Sequence, residues 1–393
     1  MSEGVGSGFL VLDIVFEGQS LNYDQSAGGN VQQLKKIHMG GAVYTMVSRY
    51  ALRYSLLEAG ERLFQWKLAD REALIAAGSG GKKVIQLNPK KLCNALEYVD
   101  MDLFGFLVTL KNERGKGGGG GGENEGEGVA IARPAPVKIS HAISMEPYKF
   151  DSHFNVNLGL ARRAGLVNEQ NVFQQEEHRS YYKYTVVVDL QNLGRHSALL
   201  GSNISKEVEE LNCKKKHNDE FYVYEANPVD PKEERKRVLQ LVATIMSLVR
   251  NIKGRAEDLR PKLMLAAYYP YIYRSLSDRI ELEPEMSRET FIEESEEEGK
   301  RVVRVVDGRR EFLAIHVNLS GELLPDKFLI YSVVVPGTSR KTSNVVVSGV
   351  SNDKIYAAPA TVLDNIGKWV GCDDPCINEV KNVTSQASLS GRG

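Results

Sequence analysis

An α+β fold is what this sequence of 393 residues predicts, and three observations carry the prediction. Apolar or alternating runs with strand character recur at Gly8–Phe16, Tyr181–Leu190 and Phe328–Val335. Stretches after Gly41 and after Asp230 carry apolar residues at helical spacing instead. Taken in order, strand, helix, strand, strand, helix and strand can be traced, with long insertions between them.

Gly8–Phe16 predicts a buried strand, because Val11, Leu12, Ile14 and Val15 form an almost continuous apolar run. A turn-rich loop follows. A helix is then predicted from about Gly41 to Ala59, with Gly60 as its stop. Val43, Met46, Val47, Tyr50, Tyr54 and Leu57 fall at helical spacing and define its expected buried stripe. Glu61–Ala77 reads as a second helical piece, Lys83–Gln86 as a short strand and Lys90–Asp100 as a short helix. Asp102–Leu110 fits either a strand or the close of that helix. Gly115–Gly128, GKGGGGGGENEGEG, predicts a flexible loop, since glycine brings no side chain to bury and full backbone freedom.

YYKYTVVVDL, Tyr181–Leu190, is rich in β-branched and aromatic residues and gives the strongest strand signal. The clearest helix opens at Asp230 as N-cap, with Pro231 in the first turn followed by Glu233 and Glu234. Val238, Leu241, Val242, Ile245, Val249 and Ile252 make its expected buried face, and Gly254 its stop. Lys262–Tyr269 and Phe328–Val335 read as further strands, Ala358–Trp369 as a short helix begun by Pro359, and Thr384–Gly393 as a polar, frayed end. The resulting order is the split βαβ or ferredoxin-like plan. Its four-stranded sheet is also the plan of the RRM, a frequent RNA platform.

Hydrophobic residues make up 42% of the chain and charged residues 26%, enough for a substantial core in a globular protein. The formal net charge of −1 excludes a generally basic nucleic-acid coat, so any such site must be a local patch. Compensating acid is concentrated in Ile280–Gly299, where Glu281, Glu283, Glu285 and Glu289 begin a glutamate-rich run. The four cysteines, Cys93, Cys213, Cys372 and Cys376, are too few and scattered for a secreted disulfide framework. Cys372 and Cys376 lack a second nearby pair, so a zinc site is not expected. No apolar run is long enough to span a bilayer and no signal peptide precedes the first strand, so a cytoplasmic location and no membrane partner are expected.

The basic patch is sought in Gly28–Tyr54. Lys35 and Lys36 stand just before the predicted helix, and Arg49 and Arg53 lie four apart on one face of it. Placed at the edge of the apolar stripe, their stems can pack while their charged heads reach solvent or phosphate. That arrangement suits a polyanionic ligand, although a solvated helix face explains the same residues. Catalytic patterns are missing. GSGGKK at Gly78–Lys83 has Ala76 and Lys83 where a phosphate-binding P-loop requires glycine and a hydroxyl residue. No GxSxG elbow, HExxH helix or kinase signature occurs, and the histidines are scattered. Asp24 alone would make a poor metal site. No enzyme activity, metal or cofactor is expected.

Arg133–Leu193 adds a basic entry, a compact HAIS turn, the aromatics Tyr148, Phe150 and Phe154, and a return strand, which together suggest a projecting ribbon. LNYDQSAGGNVQQLKKI (Leu21–Ile37), VSRYALRY (Val47–Tyr54), DLFG (Asp102–Gly105), and HAIS through YYKYTVVVDL occur in one order. In that order they resemble the backbone subunit of type I CRISPR Cascade, the DevR-type branch, subtype I-B. The resemblance runs from Phe9 to about Pro270 and does not extend through Tyr271–Val335.

The resemblance implies a hand-like subunit with an RRM-like palm, a finger insertion and a thumb. Residues 1–102 would hold the first half of the palm with its basic loop and helix, and 103–180 the glycine-rich loop and thumb. Residues 181–270 would be the second half of the palm, 271–325 an acidic insertion, and 326–393 the completion of the palm with a C-terminal helix. Copies of such a subunit stack head to tail in a helical filament along CRISPR RNA, with other Cascade subunits. The guide pairs with target DNA, which a recruited helicase-nuclease cuts. Carried over, Asn30, Gln33, Lys35, Lys36, Ser48, Arg49 and Arg53 match the RNA-holding palm loop and helix. His141, Ser144 and Met145 match the thumb, and Arg255 is a further RNA contact. The related type III subunit cleaves target RNA with a loop aspartate, for which Asp24 is the counterpart. A regulator that binds no RNA is the third reading.

Overall fold

The computed structural model describes residues 7–24, 31–77, 83–110, 129–166, 172–201, 210–217, 221–297, 300–333 and 345–390. The predicted glycine-rich loop and Asn30 lie outside these. The architecture is mixed α/β. At its centre stands a nine-stranded sheet built from β1 (Phe9–Gln19), β2 (Lys36–Met39), β3 (Ala42–Val47), β4 (Val137–Ile139), β5 (Ala142–Ser144), β6 (Arg179–Asp189), β7 (Leu263–Tyr269), β8 (Phe328–Ser332) and β9 (Ile355–Tyr356). The order across it is β9-β8-β7-β1-β6-β5-β3-β2, with β4 also paired to β6. All pairs are antiparallel except β8 with β9.

Four helices, α1 (Arg49–Phe64), α2 (Pro231–Met246), α3 (Pro359–Val370) and α4 (Asp374–Ser390), contribute to the core on one face. Strand alternation supplies the other half of that core: Leu10, Leu12, Ile14 and Phe16 from β1 meet Leu52, Leu56, Val238 and Val242 from the helices. The intervening residues point the opposite way. Val15, Leu263, Leu265, Phe328 and Ile330 pack against Ile280, Ile315 and Val317. Those last three belong to a long antiparallel hairpin, Ile280–Glu297 with Lys300–Asn318, in the stretch whose acidic composition gave no strand prediction. The base of the hairpin therefore covers the centre of the second sheet face.

A separate core joins two distant parts of the chain. Leu87, Leu92, Leu96, Val108 and Ile131 pack with Leu200, Tyr224 and Ala226. Cys93 and Cys213, which the sequence did not pair, are joined in a disulfide across this unit, closing a separation of 120 residues. Restricting so long a loop in the unfolded chain is worth about 2–4 kcal/mol. Cys93→Ser with Cys213→Ser is expected to lower the unfolding free energy from urea titration by that amount, and dithiothreitol should lower the parent's midpoint without affecting the variant.

Where the two cores meet, Asp102 is completely buried between two arginines. Its Oδ1 accepts from Arg133 Nη2 at 2.7 Å and from the Gly194 amide at 2.9 Å, and its Oδ2 accepts from Arg237 Nη1 at 2.9 Å. Gly105, three residues on, takes φ +71°, and a Cβ there would stand 2.3 Å from the Arg133 carbonyl oxygen.

Several local expectations are corrected. The first helix begins at Arg49, not Gly41, because Gly40 and Gly41, with φ +55° and +80°, form the two-residue turn of the β2–β3 hairpin. Val43, Met46 and Val47 therefore lie on a strand, while Tyr50 and Tyr54 are 64% and 65% exposed. The buried positions of α1 are Leu52, Ser55, Leu56 and Gly60. Helix stops at Phe64, and Leu74–Ala77 is a strand paired with Val84–Leu87. Pro89–Glu97 is a 3-10 helix, followed by a short α-helix at Val99–Phe104 and a strand at Phe106–Leu110. Helix α2 carries the expected Asp230 cap but ends at Met246, since Lys253 and Gly254 turn Val249–Ile252 into a hairpin with Arg255–Asp258. The polar end is helical through Ser390.

Candidate nucleic-acid interface

The hairpin turn at Gly40–Gly41 sends β3 directly into α1, and β5 pairs beside β3 with Ala142 opposite Val47. This register brings His141 to the first turn of the helix. The Arg49 amide donates to His141 Nδ1 at 3.0 Å, joining segments 92 residues apart. With Nδ1 accepting, the proton of the neutral ring is assigned to Nε2. Ser48 is the N-cap: its Oγ accepts from the Ala51 amide at 3.2 Å, and its own amide donates to Asn22 Oδ1 at 2.9 Å.

No acidic residue occupies the first turn of α1. The positive end of the helix dipole is therefore reinforced, not neutralised, by side chains. Arg49 is exposed, donates from Nη2 to the Tyr50 hydroxyl at 2.9 Å and lies 4.9 Å from the centre of its ring. The hydrogen bond and the charge of Arg49 lower the Tyr50 pKa from its ordinary value. Arg53 is half-buried, with its guanidinium 4.8 Å from the Phe104 ring centre. Burial lowers its pKa, and the nearby Asp100 carboxylate opposes that effect. The two arginines thus differ: Arg49 is solvent-exposed on the neighbouring Tyr50 ring, whereas Arg53 is half-buried against Phe104.

Other predicted contacts are already engaged within the chain. Lys35 Nζ is 2.7 Å from Asp24 Oδ1. Lys36 lies on β2 with its Nζ 2.7 Å from Glu176, whose side chain is 5% exposed, and 4.8 Å from the Tyr148 ring centre. Arg255 sits between Glu177 at 3.5 Å and Glu257 at 3.6 Å and donates to the Gln19 and Ser20 carbonyls. Lys36 therefore ties β2, and Arg255 the end of β1, to the 150–178 segment, connections that their basic character alone does not disclose. Gln33 is exposed, and its carbonyl accepts from the Asp24 amide.

The HAIS segment is not a turn on a projecting ribbon. Its Ala142–Ser144 portion is β5, inside the central sheet. Ser144 is 3% exposed, accepts from the Thr45 amide and donates to the Glu146 carbonyl, so it fastens β3 to β5. Met145 packs against the core of the second sheet face and is not a free wedge. Beside it lies a cavity of about 670 Å³, lined by Tyr44, Ser140, His141, Met145, Lys183 and Thr185 among others. Beneath, Asp13 Oδ1 accepts from Thr185 and Ser275, both at 2.6 Å, and Oδ2 from the Leu276 amide; burial raises the Asp13 pKa against these bonds. A neighbouring network joins Thr45 Oγ1 to His178 Nδ1 at 2.7 Å and to the Tyr182 hydroxyl at 2.9 Å. Burial lowers the His178 pKa and pushes Tyr182 up to about 12.

The structure thus unites Ser48, Arg49, Arg53 and His141 at one helix end, and it assigns Lys36, Ser144 and Arg255 to internal bonding. Asn22, and Tyr50, which the sequence placed on the buried stripe, complete that end. The Gly40–Gly41 pair flanked by strand-forming residues was the available signal for the hairpin that sets it up. Among the described residues no group of three or more His, Cys, Asp or Glu is arranged to hold a metal ion, and no helix is long and apolar enough to cross a membrane.

Residues 10–281 match the profile of the family described as CRISPR-associated negative auto-regulator DevR/Csa2. No curated protein matches the sequence. Among solved structures, a chain of a CRISPR RNA-guided surveillance complex is similar at 12% identity and a TM-score of 0.34, over 66% of this chain and 68% of that one. A chain of a CRISPR RNA-guided surveillance complex titled pre-nicking is similar at 10% identity and a TM-score of 0.34, over 66% and 77% of the respective chains.

Proposed function

Because the chain belongs to the CRISPR-associated DevR/Csa2 family, we propose that it is a non-catalytic, RNA-holding backbone subunit of a CRISPR surveillance complex of the Cascade type. In this reading it acts in the cytoplasm, binds guide RNA through phosphate and sugar, and stacks with further copies of itself along that RNA. Other Cascade subunits, target DNA paired to the guide and a recruited helicase-nuclease are its further partners. The single observation that carries the RNA grip is the N-terminal end of α1, which gathers Arg49, Arg53 and His141 at the positive end of the helix dipole with no first-turn acid. Contacts of this kind do not depend on base identity, as a scaffold for variable guides requires.

The RRM-like palm reading is supported by strand order. In sequence, β1, α1, the β4–β5 segment, β6, α2 and β7 form a βαββαβ series, and across the sheet they lie as β7-β1-β6-β5. The second sheet face is covered by the long hairpin, so the RNA site is assigned to the helix end, not to an open sheet.

Two other readings differ in testable ways. Metal-dependent RNA cleavage would need Asp24, whose carboxylate is held by Lys35. The word auto-regulator in the family description favours, as the second reading, a regulator that holds no RNA. The protein purified from its own cells is expected to carry short RNA of uniform length and to leave complementary RNA intact with Mg²⁺. Periodic cuts abolished by Asp24→Ala would establish cleavage, and RNA-free protein would establish the regulator.

A further inference from the structure

Helix α1 presents an outer surface that phosphate binding does not require. Along its first six residues, Arg49, Tyr50, Arg53 and Tyr54 form a ridge on which both tyrosines are more than three-fifths exposed, at 64% and 65%. The helix is held in the core through Leu52 and Leu56 on its other side, so the two rings contribute little to its packing. Solvated tyrosines would ordinarily be replaceable by charged residues at no cost, and single exposed aromatics need no explanation. Two of them at i and i+4, interleaved with two arginines, make a different surface.

Spacing indicates the kind of ligand. Residues four apart on a helix hold their Cβ atoms about 5–6 Å from each other. That is less than the two stacking distances of ~3.4 Å that a base sandwiched between the rings would need. An unpaired base therefore fits against the outer face of either ring. Arg49 already lies over the Tyr50 ring, and the combined cation and aromatic surface is one on which bases of any identity stack. Charge argues in the same direction. Nearest along the helix, Glu58 faces Arg62 at 3.6 Å and leaves the ridge cationic. An acid-poor aromatic surface at the positive end of a helix favours a single-stranded nucleic acid over an apolar peptide.

We propose that Tyr50 and Tyr54 form a base-stacking platform for unpaired nucleotides, adjoining the Arg49–His141 phosphate site. The proposal rests on the RNA-holding reading and adds a base-dependent component to a grip otherwise confined to the RNA backbone. The platform distinguishes RNA carrying bases from the same backbone without them, but does not distinguish one base from another.

The test measures binding of the full chain to a fluorescent oligo(A) RNA and to an abasic ribose-phosphate oligomer of equal length, at one salt concentration. The parent is expected to bind oligo(A) at least tenfold more tightly than the abasic oligomer. Tyr50→Ala with Tyr54→Ala should erase that difference by weakening oligo(A) binding more than abasic binding, and Tyr50→Phe with Tyr54→Phe should retain it. Persistence of the difference in the double alanine variant overturns the platform, and so does equal loss of affinity for both oligomers. Loss of self-association with RNA binding unchanged also overturns it and assigns the ridge to a contact between copies. A parent that binds neither oligomer at low salt overturns the RNA-holding reading itself, and the platform with it.

Discussion

Asp102→Ala is expected to destabilise the protein by about 3–5 kcal/mol, the cost of leaving buried charges without their partner. The carboxylate is fully buried and engages Arg133 and Arg237, whose side chains are 2% and 7% exposed. Neither guanidinium can turn to water once the acid is gone. Burial already lowers the Arg133 pKa, and the Asp102 charge is the principal influence opposing it. Arg133 also donates to the Asp102 and Asn192 carbonyls, and Arg237 to the Leu96 carbonyl, so the damage reaches backbone from both cores. A urea titration followed by tryptophan fluorescence checks this. Asp102→Asn should lie between parent and Asp102→Ala because it keeps the shape and one acceptor. A loss below about 0.5 kcal/mol, the usual size of a surface substitution, would contradict the account.

Arg49→Ala with Arg53→Ala is expected to weaken RNA binding at least tenfold, since charge-assisted hydrogen bonds are worth about 1.5–3 kcal/mol each. The slope of log affinity against log salt should flatten by about 1.4, or about 0.7 for each phosphate of a single strand that is no longer neutralised. Melting temperature should change little for Arg49, which is exposed and makes its bond to His141 through the backbone. Lys36→Ala should behave in the opposite way. It leaves the buried Glu176 carboxylate without its cation, held by the Leu34 amide, so stability falls while the salt slope stays near the parent's. Equal flattening by Lys36→Ala and by the arginine pair would show that the basic patch acts as a diffuse field and not through the helix end.

Much of the framework was legible because local chemistry and burial agree in it. The apolar run of β1, the β-branched series of β6 and the cap of α2 each specify their element without reference to the rest of the chain. The start of α1 was not, because Val43, Met46 and Val47 satisfy helical spacing and strand propensity alike, and only the Gly40–Gly41 turn separates the two. Long-range pairing lay further out of reach. Glu176 and Glu177 capture Lys36 and Arg255 from segments 140 and 78 residues away, and nothing in local sequence marks a lysine as already neutralised. Ser144 shows the same limit, since its burial follows from the pairing of β5 between β3 and β6. The DLFG sequence was recognisable as a motif, yet its reason is architectural: Asp102 joins two arginines, and Gly105 leaves room for a carbonyl.

The most direct test of the central claim, that RNA is held at the first turn of α1, is photocrosslinking of the full chain to guide-length RNA with the attachment sites mapped by mass spectrometry. The account predicts crosslinks within Ser48–Tyr54 and at His141, abolished in the Arg49→Ala, Arg53→Ala variant. Crosslinks confined to other surfaces, with none in that turn, would contradict it.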